Sequence, residues 1–223
     1  MYIYRKILIF VILLTMLASG CSNQASAPPT PTSPPPTPTS PPPTPTTPPP
    51  TPTMGPVDVV KAYEDAWNRH DVPGANAWLT EDVSFLVPSW GNMELKTRQE
   101  VQKVHEFYFA GPVEVHYTDC QTSADTVTCK MTFAEACSRA FGINVIPGVA
   151  VFTMLNDKIQ AIKWDHTSDE LNQFSAGWDK FTSWFEKTYS SEWTSITTDD
   201  NWLTKETGAI LAKRCPEYGA TIK

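Results

Sequence analysis

The sequence contains no apolar run long enough to cross a bilayer. The stretch from Ile7 to Leu17 holds eleven residues, whereas a spanning helix needs roughly twenty. There is no excess of positive charge either. The 17 basic residues stand against 24 acidic ones, a formal charge of −7, which argues against nucleic acid and against an electrostatic grip on anionic lipid. No phosphate-binding loop or nucleophile motif is present, and no cysteine spacing suits a zinc site. Ser89, beside Trp90, has no evident base. No cofactor and no metal are therefore expected.

What is present begins with proline. Pro28 to Thr53 repeats a PPPTPT unit every seven residues. Proline fixes φ and donates no hydrogen bond, so this tract is expected to be an extended spacer of roughly 80 Å, at about 3.1 Å per residue. Ahead of it stand Arg5 and Lys6, the apolar run, and then Ala18-Ser19-Gly20-Cys21. That order resembles the signal and lipobox of bacterial lipoproteins, although Ala18 occupies a place where leucine is commoner. The resemblance implies that residues 1–20 are a cleaved leader and that Cys21 carries a diacylglycerol. Two acyl chains suffice for stable anchoring. The expected location is the outer side of the bacterial cell membrane. Ordinary signal cleavage with Cys21 as a spare thiol is the alternative. Loss of Arg5 and Lys6 leaves 15 basic residues and a charge of −9.

Residues 54–167 and 168–223 follow the spacer. Val59, Val60, Tyr63, Ala66 and Trp67 recur at helical spacing, and Asp71 can cap a short helix carrying Ala75, Trp78 and Leu79. Val83–Val87 reads as a strand. Thr97, with Glu100 three residues on, starts a helix whose apolar face holds Val101, Val104, His105 and Tyr108. Two hairpins are expected, one turning at Ala124-Asp125 and one at Asn156-Asp157. In the first, a two-residue turn pairs residues whose numbers sum to 249, placing Cys120 opposite Cys129 and Asp119 opposite Lys130. The same register sets His116 with Cys129, Met131 and Phe133 on the core face. It also sets Glu114 against Glu135, where pairing is expected to slip or end. An exported chain with four further cysteines suggests two disulfides, with three possible pairings. The register selects Cys120–Cys129, and Cys137–Cys215 follows by elimination. Leu171, Phe174, Trp178, Phe181 and Phe185 form an apolar stripe too large to leave in water. A last helix is expected from Trp202 to Lys213.

The order helix, short helix, strand, helix, four-stranded meander resembles the nuclear transport factor 2-like superfamily and its SnoaL-like polyketide cyclase group. Trp67-Asn68-Arg69-His70-Asp71, Leu79-Thr80-Glu81-Asp82-Val83-Ser84-Phe85 and the pair Asp157-Lys158-Ile159 with Trp164-Asp165 carry the likeness. The family's usual glycine before the third helix is replaced by Lys96-Thr97. The resemblance implies an α+β fold, with a curved antiparallel sheet wrapped on N-terminal helices into a cone. A C-terminal helical extension lies outside it.

The superfamily uses this cone for isomerases, cyclases, dehydratases and plain binding domains, so fold does not decide function. Asp165 and His116 are the acid–base candidates if the chain is an enzyme, which is the less favoured reading. Each has a structural alternative, Asp165 as a turn cap and His116 as a core-edge histidine. Tyr63, Trp67, Trp78, Trp90 and His105 are the candidate ligand wall. His70 and His166, at element ends, are expected to be exposed. The favoured reading is a membrane-tethered binding module for a small apolar or amphipathic ligand. A cyclase or isomerase, and a protein-interaction or homodimerisation module, are the alternatives.

Overall fold

The computed structural model describes residues 54–166, 168–198 and 202–222. The leader, Cys21 and the proline–threonine tract lie outside the described residues. Pro56 opens helix α1 (Pro56–Asn68), where its missing N–H costs nothing, and the Asp58 carboxylate accepts the Gly55 N–H at 3.2 Å. The 3.6-residue period turns Val59, Val60, Tyr63, Ala66 and Trp67 inward, all of them buried. Asp71 caps α2 (Val72–Ala77) by accepting the Gly74 N–H at 2.9 Å. Strand β1 (Leu79–Val87) runs into a 3-10 turn at Pro88–Trp90 and a short β2 (Met93–Leu95). Thr97 caps α3 (Arg98–Tyr108), while Glu100 accepts the Lys96 N–H at 2.8 Å.

The sheet continues through β3 (Val113–Ser123), β4 (Thr126–Glu135), β5 (Ile146–Leu155) and β6 (Lys158–His166), with a five-residue helix α4 (Ala136–Ala140) between β4 and β5. Strand order is β2-β1-β6-β5-β4-β3. Its fold is the expected α+β one, with one refinement: β1 pairs with β6 in parallel, so the curved sheet is mixed. The cone interior is filled by the chain's own rings. Trp67 packs 5.2 Å from both Trp164 and Phe109, and Phe85 lies 5.1 Å from Trp164. Tyr117 lies 5.0 Å from Phe152, and all but Phe109 among these six rings are buried to 1% exposure or less.

The β3–β4 register departs from a uniform hairpin. Near the turn the pairs sum to 249, as in Gln121↔Thr128, but a bulge between Thr118 and Gln121 shifts the rest to Thr118↔Lys130 and Tyr117↔Met131. Asp119 takes φ +50° there. One extra residue in one strand reverses which side chains face inward beyond it. Val113, Val115 and Tyr117 therefore enter the core, and His116 and Thr118 turn outward. The expected clash of Glu114 with Glu135 does not arise, because Glu114 pairs with Ala134. Both disulfides, Cys120–Cys129 and Cys137–Cys215, are formed, and Lys130 meets Asp119 at 2.8 Å.

The extension comprises α5 (Ser168–Thr188), α6 (Ser190–Thr197) and α7 (Lys205–Thr221). Its stripe forms a second core. Phe181, Phe185, Leu211 and Tyr218 are buried there with Phe107 of α3 and Cys137 of α4. Arg214, 7% exposed, holds Glu192 through two hydrogen bonds of 2.7 and 2.8 Å and Glu217 at 2.6 Å, and lies over the Tyr189 ring. Helix α7 outlasts the expected end at Lys213 and continues through Pro216. The burial of Cys215, Tyr218 and Gly219 outweighs the hydrogen bond that proline removes.

Candidate functional site

Asp165 and His116 do not enter the cone. Asp165 lies between the inward-facing Trp164 and His166, so the two-residue period of β6 turns it outward. Its side chain is 54% exposed and meets Lys163 at 3.3 Å. His116, turned out by the bulge, is 55% exposed and lies 3.3 Å from Glu64. The expectation that both face the interior is thus corrected. His166, expected at the surface, is 7% exposed and faces inward. Burial lowers its pKa to about 4, against the Asp165 charge and the Pro147 backbone, which favour protonation.

Of the residues expected to form a ligand wall, Tyr63, Trp67 and His105 are enclosed in the core. His105 is held by two hydrogen bonds, Nε2 to the Tyr63 hydroxyl at 2.9 Å and Nδ1 to Asn76 Oδ1 at 3.0 Å. Asn76 donates through Nδ2 to Gln102 at 3.0 Å, so its Oδ1 is the acceptor. His105 must then donate from Nδ1 and accept from Tyr63 at Nε2. Burial lowers its pKa to about 3 and raises that of the Tyr63 phenol. This neutral, satisfied chain fixes α1, α2 and α3 to one another. Trp78 is half-buried against the main core, and its carbonyl accepts the Ile159 N–H at 2.8 Å.

Trp90 has a different setting. It stands at the mouth of the cone, stacked on His166 with centroids 5.8 Å apart. There the extension crosses the mouth and leaves a cavity of about 620 Å³, within the range typical of small-molecule sites. Trp90, Tyr108, Phe133 and Ile146 form its floor, and Phe174, Trp178, Trp193, Ile196 and Leu211 its roof. Two polar groups of the cone wall join them. Ser89 presents a hydroxyl with no protein partner. Glu135 accepts the Cys137 N–H at 2.7 Å and the Ser138 N–H at 2.6 Å, capping α4. Burial raises the Glu135 carboxyl above the usual carboxylate range, against those two bonds and Arg139. Burial and the neighbouring Glu135 charge likewise hold the Tyr108 phenol well above its ordinary value.

Sequence reasoning missed Glu135, Tyr108 as a wall residue, and the roof. Glu135 was within reach, because it continues the inward row Cys129, Met131, Phe133 along β4 by one step. The roof was not, since it depends on where α5 to α7 dock. Among the described residues no group of His, Cys, Asp and Glu could hold a metal ion, and no helix is long and apolar enough to cross a membrane.

With this geometry in view, residues 60–162 match the family described as the SnoaL-like domain. The match spans 103 of the 223 residues, and the extension lies outside it. No curated protein matches the sequence. Three similar solved structures illustrate the range. A nuclear transport factor 2-like protein of unknown function from Cytophaga hutchinsonii is 13% identical (TM-score 0.42, 50% of this chain, 88% of that one). A cystatin-fold protein from Novosphingobium aromaticivorans is 17% identical (TM-score 0.42, 50% and 97%). An epoxide hydrolase from M. tuberculosis is 14% identical (TM-score 0.46, 57% and 94%). No activity passes to this chain from likenesses of that degree.

Proposed function

We propose that this chain is a membrane-tethered, extracytoplasmic binding module that holds a small molecule with an apolar body in the cavity between the cone mouth and the helical extension. The single observation that carries this reading is that cavity, about 620 Å³ and walled mainly by aromatic and aliphatic side chains. The inner cone, where a family enzyme would work, is packed with its own rings. Asp165 and His116 face outward. Glu135, the remaining carboxyl at the cavity wall with a shifted pKa, has both oxygens committed to capping α4, which leaves it poorly placed as a free base.

Tethering rests on the leader, Ala18-Ser19-Gly20-Cys21 and the proline spacer. The two disulfides agree with an oxidising compartment. Cys21→Ala should release the protein from membranes or leave it unprocessed, and unchanged membrane retention would contradict tethering through that residue. Binding is tested by titrating the full chain carrying Cys21→Ser, which takes no lipid, with the neutral apolar dye N-phenyl-1-naphthylamine. One saturable equivalent that quenches tryptophan emission is expected, and absence of saturable binding would overturn the reading.

A further inference from the structure

The chemistry of the cavity wall goes further than its apolarity, and the ligand class it selects rests on the binding function proposed for that cavity. Of the lining residues eight are aromatic, two are acidic, Glu135 and Asp179, and none is Lys, Arg or His. Aromatic residues make up 11% of the whole chain, so the wall is about threefold enriched in rings. An anionic ligand would leave its charge unpaired beside two carboxyl groups, at a large desolvation cost. A neutral chain would gain only from burial. A cation gains from ring faces and from both acids together.

The kind of cation is narrowed by hydrogen bonding. A primary ammonium needs three acceptors. Ser89 offers one hydroxyl, and Glu135 already accepts the Cys137 and Ser138 N–H groups, one on each oxygen, so the wall supplies charge more than a set of three free acceptors. A quaternary or tertiary ammonium is weakly hydrated, asks for few or no acceptors and presents methyl groups to ring faces. We propose that this cavity takes an organic cation: a quaternary or tertiary ammonium group carried on an apolar body. The ammonium sits toward Glu135 and Asp179, and the apolar body lies along the rings of the floor and roof. Burial raises the Glu135 carboxyl pKa, and a cation bound beside it would lower that pKa again.

The test compares three probes with one chain length, decyltrimethylammonium, decanol and decanoate, by calorimetry on the full chain carrying Cys21→Ser. The cation should bind at least about tenfold more tightly than decanol, and decanoate should bind most weakly. Glu135→Gln and Asp179→Asn should each cut the cation-to-decanol ratio by about three- to tenfold and leave decanol unchanged. Gln keeps an acceptor oxygen for the α4 cap, and Asp179 lies exposed on α5, so at least the second variant keeps the fold. Decanol or decanoate binding as tightly as the cation would overturn the cation proposal while leaving the binding module intact. A cation preference unmoved by both substitutions would also overturn it, since the net charge of the chain would then be its source. No binding of any of the three would overturn the module reading as well.

Discussion

Gly208 is where the extension touches the cone most closely, and its replacement by alanine sets two opposing effects against each other. Alanine is favoured over glycine in a helix interior by about 1 kcal/mol, so Gly208→Ala in an isolated α7 would stabilise. In this chain a Cβ at position 208 would lie 2.8 Å from the Phe107 carbonyl carbon and closer still to its oxygen. Both are backbone atoms at the end of α3, so no side-chain rotation relieves the clash. Ordinary contact needs about 3.4 Å or more, and the oxygen contact is the tighter of the two, so α7 must move outward by well over an ångström, dragging the Cys215 crosslink and the cavity roof. Overpacking of this kind costs about 1–3 kcal/mol, and against immovable backbone the upper part of that range applies. Steric cost therefore wins, with a net loss of about 1–2 kcal/mol. For a domain of this size that lowers Tm by about 2–8 °C. Thermal unfolding by circular dichroism measures it, with Ala209→Gly, at an exposed α7 position, calibrating the propensity contribution. A Tm that rises for Gly208→Ala would mean that propensity dominates and that α7 does not rest on α3 as described.

The two disulfides should differ in worth. Closing the 78-residue separation of Cys137–Cys215 contributes about 4.5 kcal/mol by chain entropy, and the 9-residue separation of Cys120–Cys129 about 2.6 kcal/mol. Denaturant unfolding of the two double-alanine variants should rank them in that order, and the reverse order would show that the extension is not held through Cys215. Acid should destabilise the fold well above the carboxylate range. His105 and His166 are neutral when folded, with pKa values lowered to about 3 and about 4, whereas an unfolded histidine titrates near 6.5. The unfolded chain then binds up to two more protons below about pH 6.5, so stability falls as pH falls, by up to about 2.7 kcal/mol per unit. Glu135, whose raised carboxyl acts in the opposite direction, offsets at most one of those protons. Equal urea midpoints at pH 7 and pH 5 would refute the burial of these histidines.

Local periodicity carried much of this structure. The α1 row from Val59 to Trp67, the Thr97 cap and the Phe181–Phe185 stripe can be read from spacing because each element buries one face. The Cys120–Cys129 pair was legible because Cys120 adjoins the turn-side pair Gln121↔Thr128, where the two-residue turn sets the register. His116 was not, because one extra residue near Asp119 reverses the alternation and nothing in the local sequence marks it. Asp165 and His166 were misassigned for a different reason. Alternation from the plainly apolar Trp164 already places Asp165 outside and His166 inside, and the family phrase drew attention to the wrong one of the three. The cavity wall combines α3, β4, α5, α6 and α7, so it exists only once the extension has docked. No single segment of sequence contains it.

The most direct test of ligand binding at the cone mouth is where a bound apolar probe sits. A crystal structure of the full chain carrying Cys21→Ser, grown with N-phenyl-1-naphthylamine, should show one dye molecule between Trp90 and Phe133 on one side and Trp178 and Leu211 on the other. Dye lodged among Tyr63, Trp67 and Trp164 inside the cone, or a roof collapsed onto Phe133 with no space beneath Trp178, would contradict it.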